Sequence, residues 1–298
     1  MNKQYQNAAR RRRSLSLLCR VGVVTLTCLM LMSSMILGAS AAVVFPKDAT
    51  PTTVYLDGRE VLRDECVILQ SVTYVPLRNF CNLFEDCKIT WNAKTSTATV
   101  KTNDLTMTVQ EGAIYITANG HYYYTVGEVR NLNGHLYVPI RPLAKAFAAE
   151  LYWNASARRT ELTSAANGRN AVAWANYKSD EVYWLSRIIS AEAKGEPMKG
   201  QIAVGNVVLN RVKSPSYPNT IYGVIFDRKY GTQFSPVSFG TIYQKPTASA
   251  EIAAKICLEG YSLSDDILFF INPRIATNNW IVKNRPYAFT IGNHDFYR

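Results

Sequence analysis

Histidine is scarce in this chain: His121, His135 and His294 are the three among 298 residues. A metal centre built from imidazoles needs several of them in one place, so that chemistry lacks ligands here. Cysteine is little better supplied. Cys19 and Cys28 lie in the N-terminal segment of residues 1–41, which leaves Cys66, Cys81, Cys87 and Cys257, with no C-x-x-C pair among them. Neither a zinc site nor a disulfide framework can be read from that spacing, and a bridge from Cys66 to Cys81 or Cys87 is left open. Acidic residues are also in deficit, 22 against 33 basic ones. The imbalance is uneven, however. Lys3, Arg10, Arg11, Arg12, Arg13 and Arg20 fall in the first twenty residues without a single acid. Beyond them the balance is a modest surplus that suits a polyanionic surface and gives no nucleic-acid patch.

What is present begins with that basic N-terminus. It precedes a 17-residue apolar run from Val21 to Leu37 and the small residues Gly38-Ala39-Ser40-Ala41-Ala42. Basic, apolar and small-residue regions in that order predict an export signal over residues 1–41, with cleavage before Ala42. The run is long enough that an uncleaved membrane anchor is the alternative. On either reading the protein is exported and touches membrane only through this segment.

Residues 52–164 repeat themselves. Tyr74-Val-Pro-Leu-Arg78, Phe84 and Trp91-Asn-Ala93 recur as Tyr137-Val-Pro-Ile-Arg141, Phe147 and Trp153-Asn-Ala155. Each copy opens on a strand pair around Asp57-Gly58 or Asn119-Gly120, dipeptides that take the positive φ of a two-residue hairpin. Pro76 and Pro139 then introduce a short helical stretch, followed by an alternating strand such as Thr97–Lys101. The fold class expected here is α+β, two units of β-hairpin and short helix. These units resemble the copper amine oxidase N-terminal-like domain. The resemblance implies a non-catalytic module, either holding the chain to a wall or surface polymer or acting as a rigid spacer. It implies no copper site, because His121 and His135 occur in only one copy. Tyr122, Tyr123 and Tyr124 have the two uses of strand aromatics, stacking on sugars or packing.

A polar stretch over residues 165–179 reads as a linker, and residues 180–298 form a second domain. Its first helix, with Ser179 or Asp180 as N-cap and Glu181 in the first turn, leads to Ile188-Ile-Ser-Ala-Glu192-Ala-Lys-Gly-Glu196-Pro197. Leu185, Ile188 and Ile189 stand at i−7, i−4 and i−3 from Glu192 and put it on the apolar face in the last turn. A carboxylate against an apolar wall has its pKa raised and stays protonated near neutrality, as a general acid at a glycosidic bond requires. A frayed helix end pointing at water is the plain alternative. Glu196-Pro197 starts a second helix with proline at its first position, Glu196 serving as cap or as second carboxylate. Ile202, Gly205, Val208, Leu209 and Val212 make its apolar stripe, with Gly205 allowing close approach of the first helix.

Residues 183–298 resemble the cell wall hydrolase family typified by spore cortex-lytic enzymes. The matching stretches, in family order, are Ala191–Pro197, Gly200–Val212, Gln233-Phe-Ser-Pro-Val237, Phe270-Ile-Asn-Pro273 and Ile291–Tyr297. Lys194 replaces an arginine common in the first of them. The resemblance implies a mainly α, lysozyme-like catalytic domain acting on peptidoglycan, with Glu192 as catalytic acid and no metal or organic cofactor. The implied reaction is that of a lytic transglycosylase. Glu192 protonates the glycosidic oxygen between N-acetylmuramic acid and N-acetylglucosamine, and the C6 hydroxyl closes on C1 to leave a 1,6-anhydro end. Gln233 and Ser235 are the candidates for binding acetamido groups or positioning Glu192. Asn272 is a substrate contact or an Asn-Pro turn. Tyr287 is placed to stabilise an oxocarbenium-like centre, and His294 reads as structural. Alternatives are a muramidase-type hydrolase, which needs a second carboxylate from Asp227, Asp265, Asp266 or Asp295, and an N-acetylmuramoyl-L-alanine amidase, for which zinc ligands are lacking. A Cys257–His294 peptidase pair is opposed by the apolar helical run around Cys257, a setting for a small buried hydrophobe. The remaining alternative is a non-catalytic wall-binding protein.

Overall fold

The two hairpins form where the Asp-Gly and Asn-Gly dipeptides place them. In the computed structural model, which describes residues 45–84, 87–229, 231–276 and 278–298, β1 (Thr50–Leu56) turns into β2 (Arg59–Leu69) with φ of 51° at Asp57 and 77° at Gly58. Likewise β7 (Tyr115–Ala118) turns into β8 (His121–Tyr124) with 46° at Asn119 and 83° at Gly120. Both central residues are left-handed, as a type I′ turn demands. The export signal expected at residues 1–41 lies outside the described residues. Among those described, no helix is long and apolar enough to cross a membrane.

The first copy continues through β3 (Val72–Pro76), α1 (Leu77–Cys81), β4 (Lys88–Asn92) and β5 (Thr97–Lys101). After β6 (Thr106–Gln110), the second continues from its hairpin through β9 (Arg130–Leu132), β10 (His135–Pro139), α2 (Ile140–Ala146), β11 (Glu150–Asn154) and β12 (Arg159–Thr163). Pro76 and Pro139 occupy the N-cap positions of the two short helices. The strands assemble into a seven-stranded sheet, β11-β12-β1-β2-β3-β10-β9, and a five-stranded one, β4-β5-β6-β7-β8.

The register at the centre relates the two copies. β3 and β10 pair antiparallel with Tyr74 opposite Pro139, Val75 opposite Val138 and Pro76 opposite Tyr137. Exchanging each residue for its counterpart leaves that list unchanged, so the copies are related by a local twofold through Val75 and Val138. Counterparts also meet in the core, where Phe84 and Phe147 stack with ring centroids 4.9 Å apart. One continuous core serves both copies. Cys66 and Cys81 are buried in it as free thiols, and Cys87 donates from Sγ to the Cys81 carbonyl at 3.5 Å, so the Cys66 bridge is not formed.

The linker is strapped down rather than loose. Val172 donates its backbone N–H to the Ala146 carbonyl at 2.9 Å, Ala175 to Asn119 at 2.8 Å, and the buried Asn119 amide donates to Val172 at 2.8 Å. It delivers the chain to α3 (Ser179–Ala193), whose N-cap is Lys178 without a side-chain cap. Ser179 is thus the first helical residue, not the cap expected of it or of Asp180. Asp180 and Glu181 sit in the first turn, where carboxylates oppose the helix dipole favourably. The next helix, α4 (Met198–Lys213), by contrast starts one residue later than expected, with Pro197 at the N-cap. Its apolar stripe is only part of what it buries: Gln201, Ala203, Val204, Asn206, Val207 and Asn210 are buried as well, so α4 is the central helix of the domain. At Gly205 a Cβ would stand 2.7 Å from Cys257 Sγ and 2.9 Å from Ile189 Cδ1, which explains the glycine.

Around α4 lie α5 (Ile221–Phe226), α6 (Ser235–Ser238), a 3₁₀ turn (Thr241–Tyr243) and α7 (Ala248–Leu258), the last packed on both α3 and α4. Residues 269–298 add an element the sequence reading did not contain. β13 (Phe269–Ile271), β14 (Tyr287–Ile291) and β15 (His294–Tyr297) form a three-stranded antiparallel sheet in the order β13-β15-β14, with α8 (Trp280–Asn284) beside it. The domain is otherwise helical, as expected.

The two domains touch through α7 and β8. Tyr124 stacks on Tyr261 at 4.0 Å, and the Lys255 ammonium lies 4.9 Å from the Tyr122 ring centre. His121 bridges them, with Nδ1 2.7 Å from Glu259 Oε1 and Nε2 3.0 Å from the Ala173 carbonyl. Tyr177 from the linker donates its hydroxyl to the same carboxylate. The tyrosines of β8 are therefore packing groups at a domain junction.

Candidate active site

Glu192 is held at the end of α3 by a helix that buries Leu185, Ile188 and Ile189 completely. Each of those side chains contributes about 1.5–3 kcal/mol by leaving water. Their helix face carries Glu192 half into the same apolar layer. Burial alone pushes its carboxyl up to about 7. Nothing among the described residues offsets that, so near neutrality the carboxyl exchanges its proton readily in either direction.

Glu196, four residues on, has the opposite environment. Burial would raise it, but the Asn293 side chain donates to Oε1 at 3.0 Å and the Asn293 backbone N–H to Oε2 at 2.9 Å. With the nearby His294 these bonds bring its carboxyl below the usual value. The β14–β15 turn that supplies them carries Gly292 at φ 59°, where a Cβ would collide with Glu196 Oε2. Glu196 therefore anchors the small sheet to the α3–α4 corner, and Glu192 is left as the one raised carboxyl of the pair.

The sequence-predicted partners fall in two places. Ser235, exposed, opens α6, and Gln233, half-buried, precedes it and donates from Nε2 to the Gly231 carbonyl at 3.2 Å. Both α6 and the 3₁₀ turn after it pack against α3. Phe234 between them is buried in the core. Asn272 and Tyr287 belong to the three-stranded sheet region, which packs on α4 through β13. Asn272 Oδ1 accepts the Arg274 backbone N–H at 3.1 Å, which is the turn geometry of an Asn-Pro step. Tyr287 is exposed and shares a 2.8 Å hydrogen bond with Thr290, whose hydroxyl donates to Asp295 at 2.6 Å. No hydrogen bond joins any of these four to Glu192 among the described residues.

His294 is buried against Phe270, and burial lowers its pKa, so it is neutral at pH 7. Cys257 is buried in α7 with its thiol pushed up by burial, an inert state for a nucleophile. The other acids are occupied or solvated. Asp227 accepts the Lys229 backbone N–H at 2.9 Å, Asp295 holds Thr290, and Asp265 and Asp266 are exposed.

Two groups of residues escaped the sequence reading. Along α4, Asn206 donates to the Tyr261 carbonyl and accepts from Leu263 N–H, both at 2.9 Å. Asn210 donates to Ser264 and Ile267, and the buried Arg211 donates from Nε to Leu268 at 2.8 Å. These side chains hold the 261–268 segment by its backbone. Their signal was three buried polar positions in an apolar helix pattern. The second group is an aromatic shelf. Trp184, eight residues and so ~12 Å before Glu192, meets Tyr222 at 5.3 Å, Phe226 at 5.1 Å and Tyr243 at 6.3 Å, with Tyr222 and Tyr243 more than half exposed.

Residues 195–297 match the cell wall hydrolase family and residues 55–162 the copper amine oxidase N-terminal domain. The C-terminal domain belongs to the cell wall hydrolase family, carried behind a copper amine oxidase N-terminal-type domain. Spore cortex-lytic enzymes are similar to it: that of Bacillus subtilis (strain 168) is 37% identical over 120 residues, covering 40% of this chain and 38% of the relative. That of Bacillus cereus is 38% identical over 120 residues, covering 40% and 45%. The chain thus spans less than half the length of the curated relatives it matches. The solved catalytic domain of the germination-specific lytic transglycosylase SleB from Bacillus anthracis is 36% identical, covering 41% of this chain and 98% of that one, with a TM-score of 0.38.

Proposed function

We propose that the C-terminal domain cleaves the MurNAc–GlcNAc bond of peptidoglycan as a lytic transglycosylase, with Glu192 as its single acid and base. The observation that carries this reading is the isolated carboxyl of Glu192, raised to about 7 by burial, beside a Glu196 committed to Asn293. The protonated form gives its proton to the glycosidic oxygen as the C1–O bond breaks. The resulting carboxylate then takes the proton of the muramyl C6 hydroxyl as that oxygen bonds to C1. One group suffices for both steps because it returns to its starting state. An inverting hydrolase needs a second carboxylate roughly 6.5–9.5 Å away, and the solvated or occupied states of Asp227, Asp265, Asp266 and Asp295 weigh against one.

Gln233 and Ser235 are assigned to acetamido binding, supported by the packing of α6 on α3, Asn272 to a substrate contact and Tyr287 to stabilising the oxocarbenium-like centre. The exposed rings of Tyr222 and Tyr243 add an apolar surface on which pyranose faces stack. The similarity to spore cortex-lytic enzymes supports action on the spore cortex during germination, by a protein exported through residues 1–41 or anchored by them.

Muropeptides released from purified peptidoglycan by the full chain, resolved by mass spectrometry, test the reading. Anhydro-muramyl ends are expected. Reducing-end muramic acid establishes a muramidase, free stem peptides an amidase, and no release a non-catalytic wall-binding protein; each overturns the proposal.

A further inference from the structure

The internal duplication builds two matching clefts, each from both copies. In the first, Trp91 of β4, Ile89 and Arg78 of one copy face residues 134–136 of the other, the end of the β9–β10 turn and the start of β10. In the second, Trp153 of β11, Leu151 and Arg141 face residues 71–73 of the first copy, the end of the β2–β3 turn and the start of β3. Every one of these positions is the counterpart of the other across the local twofold. The clefts have volumes of about 170 and 240 Å³. The second is also lined by Tyr124 and Val126.

Trp91 and Trp153 are 49% and 42% exposed, although indole rings are among the costliest surfaces to leave in water. Both lie on edge strands whose neighbours are mostly exposed, so neither is needed for the core. Arg78 and Arg141 are exposed beside them and form no ion pair with any described residue. A flat apolar face next to an exposed guanidinium suits a pyranose ring bearing an anionic group, the ring on the indole and the anion on the fork of donors. Drug-sized ligands fill pockets of roughly 300–1,000 Å³. Each cleft is smaller, the size for one unit of a larger molecule. Two such sites held rigidly in one domain fit a repeating polymer.

We propose that the N-terminal domain is a bivalent binder of acidic glycan, taking one anionic sugar unit in the Trp91–Arg78 cleft and another in the Trp153–Arg141 cleft. The anion is a carboxylate or a phosphate, as wall glycans and the polymers attached to them both supply. This binding is independent of the chemistry at Glu192.

Co-sedimentation of the full chain with cell walls tests it, using Glu192→Gln throughout so that the outcome does not depend on cleavage. Walls are offered intact and after removal of phosphodiester-linked polymers. Binding to both identifies peptidoglycan carboxylates as the source of the anion; binding to intact walls alone identifies the phosphate polymer. Either supports the proposal. Trp91→Ala and Trp153→Ala are each expected to weaken binding at least ~10-fold by removing the avidity of a second site, and together to bring it to background. Trp→Tyr at both positions keeps a stacking face and restores most of it, which separates a lost contact from a lost fold. Arg78→Gln with Arg141→Gln flattens the salt dependence. A double tryptophan variant that sediments like its parent on both wall preparations overturns the proposal, as does binding indifferent to salt.

Discussion

At Glu192 a proton is held to higher pH by the folded chain than by the unfolded one. Its carboxyl sits near 7 when folded against an ordinary value of 4.5. Between those values the native state binds more protons, so stability falls as pH rises through the window and levels off above it. The full effect is about 3 kcal/mol. Glu192→Gln removes a charge that is costly to bury, so melting temperatures should coincide for variant and wild type near pH 4 and favour the variant at pH 8. Equal differences at both pH values contradict the desolvated carboxyl. The same substitution should lower glycan cleavage at least ~10²-fold. Much of this environment was legible in the sequence, because Leu185, Ile188 and Ile189 recur at helical spacing ahead of Glu192. The state of Glu196 was not, since its partner Asn293 is 97 residues away.

Helices and strands here are tied by single residues whose absence of a side chain matters. Gly205→Ala places a methyl against Cys257 and Ile189. Overpacking costs typically 1–3 kcal/mol, offset in part by up to ~1 kcal/mol of helix propensity. Urea unfolding should show a net loss, and adding Cys257→Ala should recover part of it by making room; a double variant no better than the single one contradicts the packing argument. Glu196→Gln breaks the carboxylate clasp on Asn293 and should cost about 1–3 kcal/mol while leaving cleavage within ~10-fold of wild type. A loss matching that of Glu192→Gln would instead make Glu196 catalytic. The sequence marked Gly205 correctly but missed the three-stranded sheet. Its strands are three to five residues long and rich in aromatics that fit helix or strand equally, so periodicity had too little length to decide.

Across the whole molecule, the domains are joined by polar contacts concentrated on Glu259, which receives His121 from β8 and Tyr177 from the linker. Glu259→Ala leaves both without their carboxylate. Hydrogen exchange should accelerate at the amides of Val172 and Ala175, which tie the linker down, while the core of each domain keeps its protection. Unchanged protection there would mean that the tyrosine stacking alone holds the junction. The duplication was plain in the sequence from Y-V-P-[LI]-R and W-N-A. The twofold relation and the clefts were not, because each cleft combines residues of one copy with a segment of the other some forty to eighty positions away. The shelf of Trp184, Tyr222 and Tyr243 was hidden for the same reason. Single-chain patterns report local periodicity, and composite sites arise from packing.

The most direct test is the titration of the Glu192 carboxyl itself, followed by carbon-detected NMR on the full chain and assigned by its disappearance in Glu192→Gln. A midpoint near 7, coincident with the falling limb of the pH–activity profile, is the predicted result. A midpoint below 5 would mean a solvated carboxylate already ionised at neutral pH, and Glu192 would not be the acid.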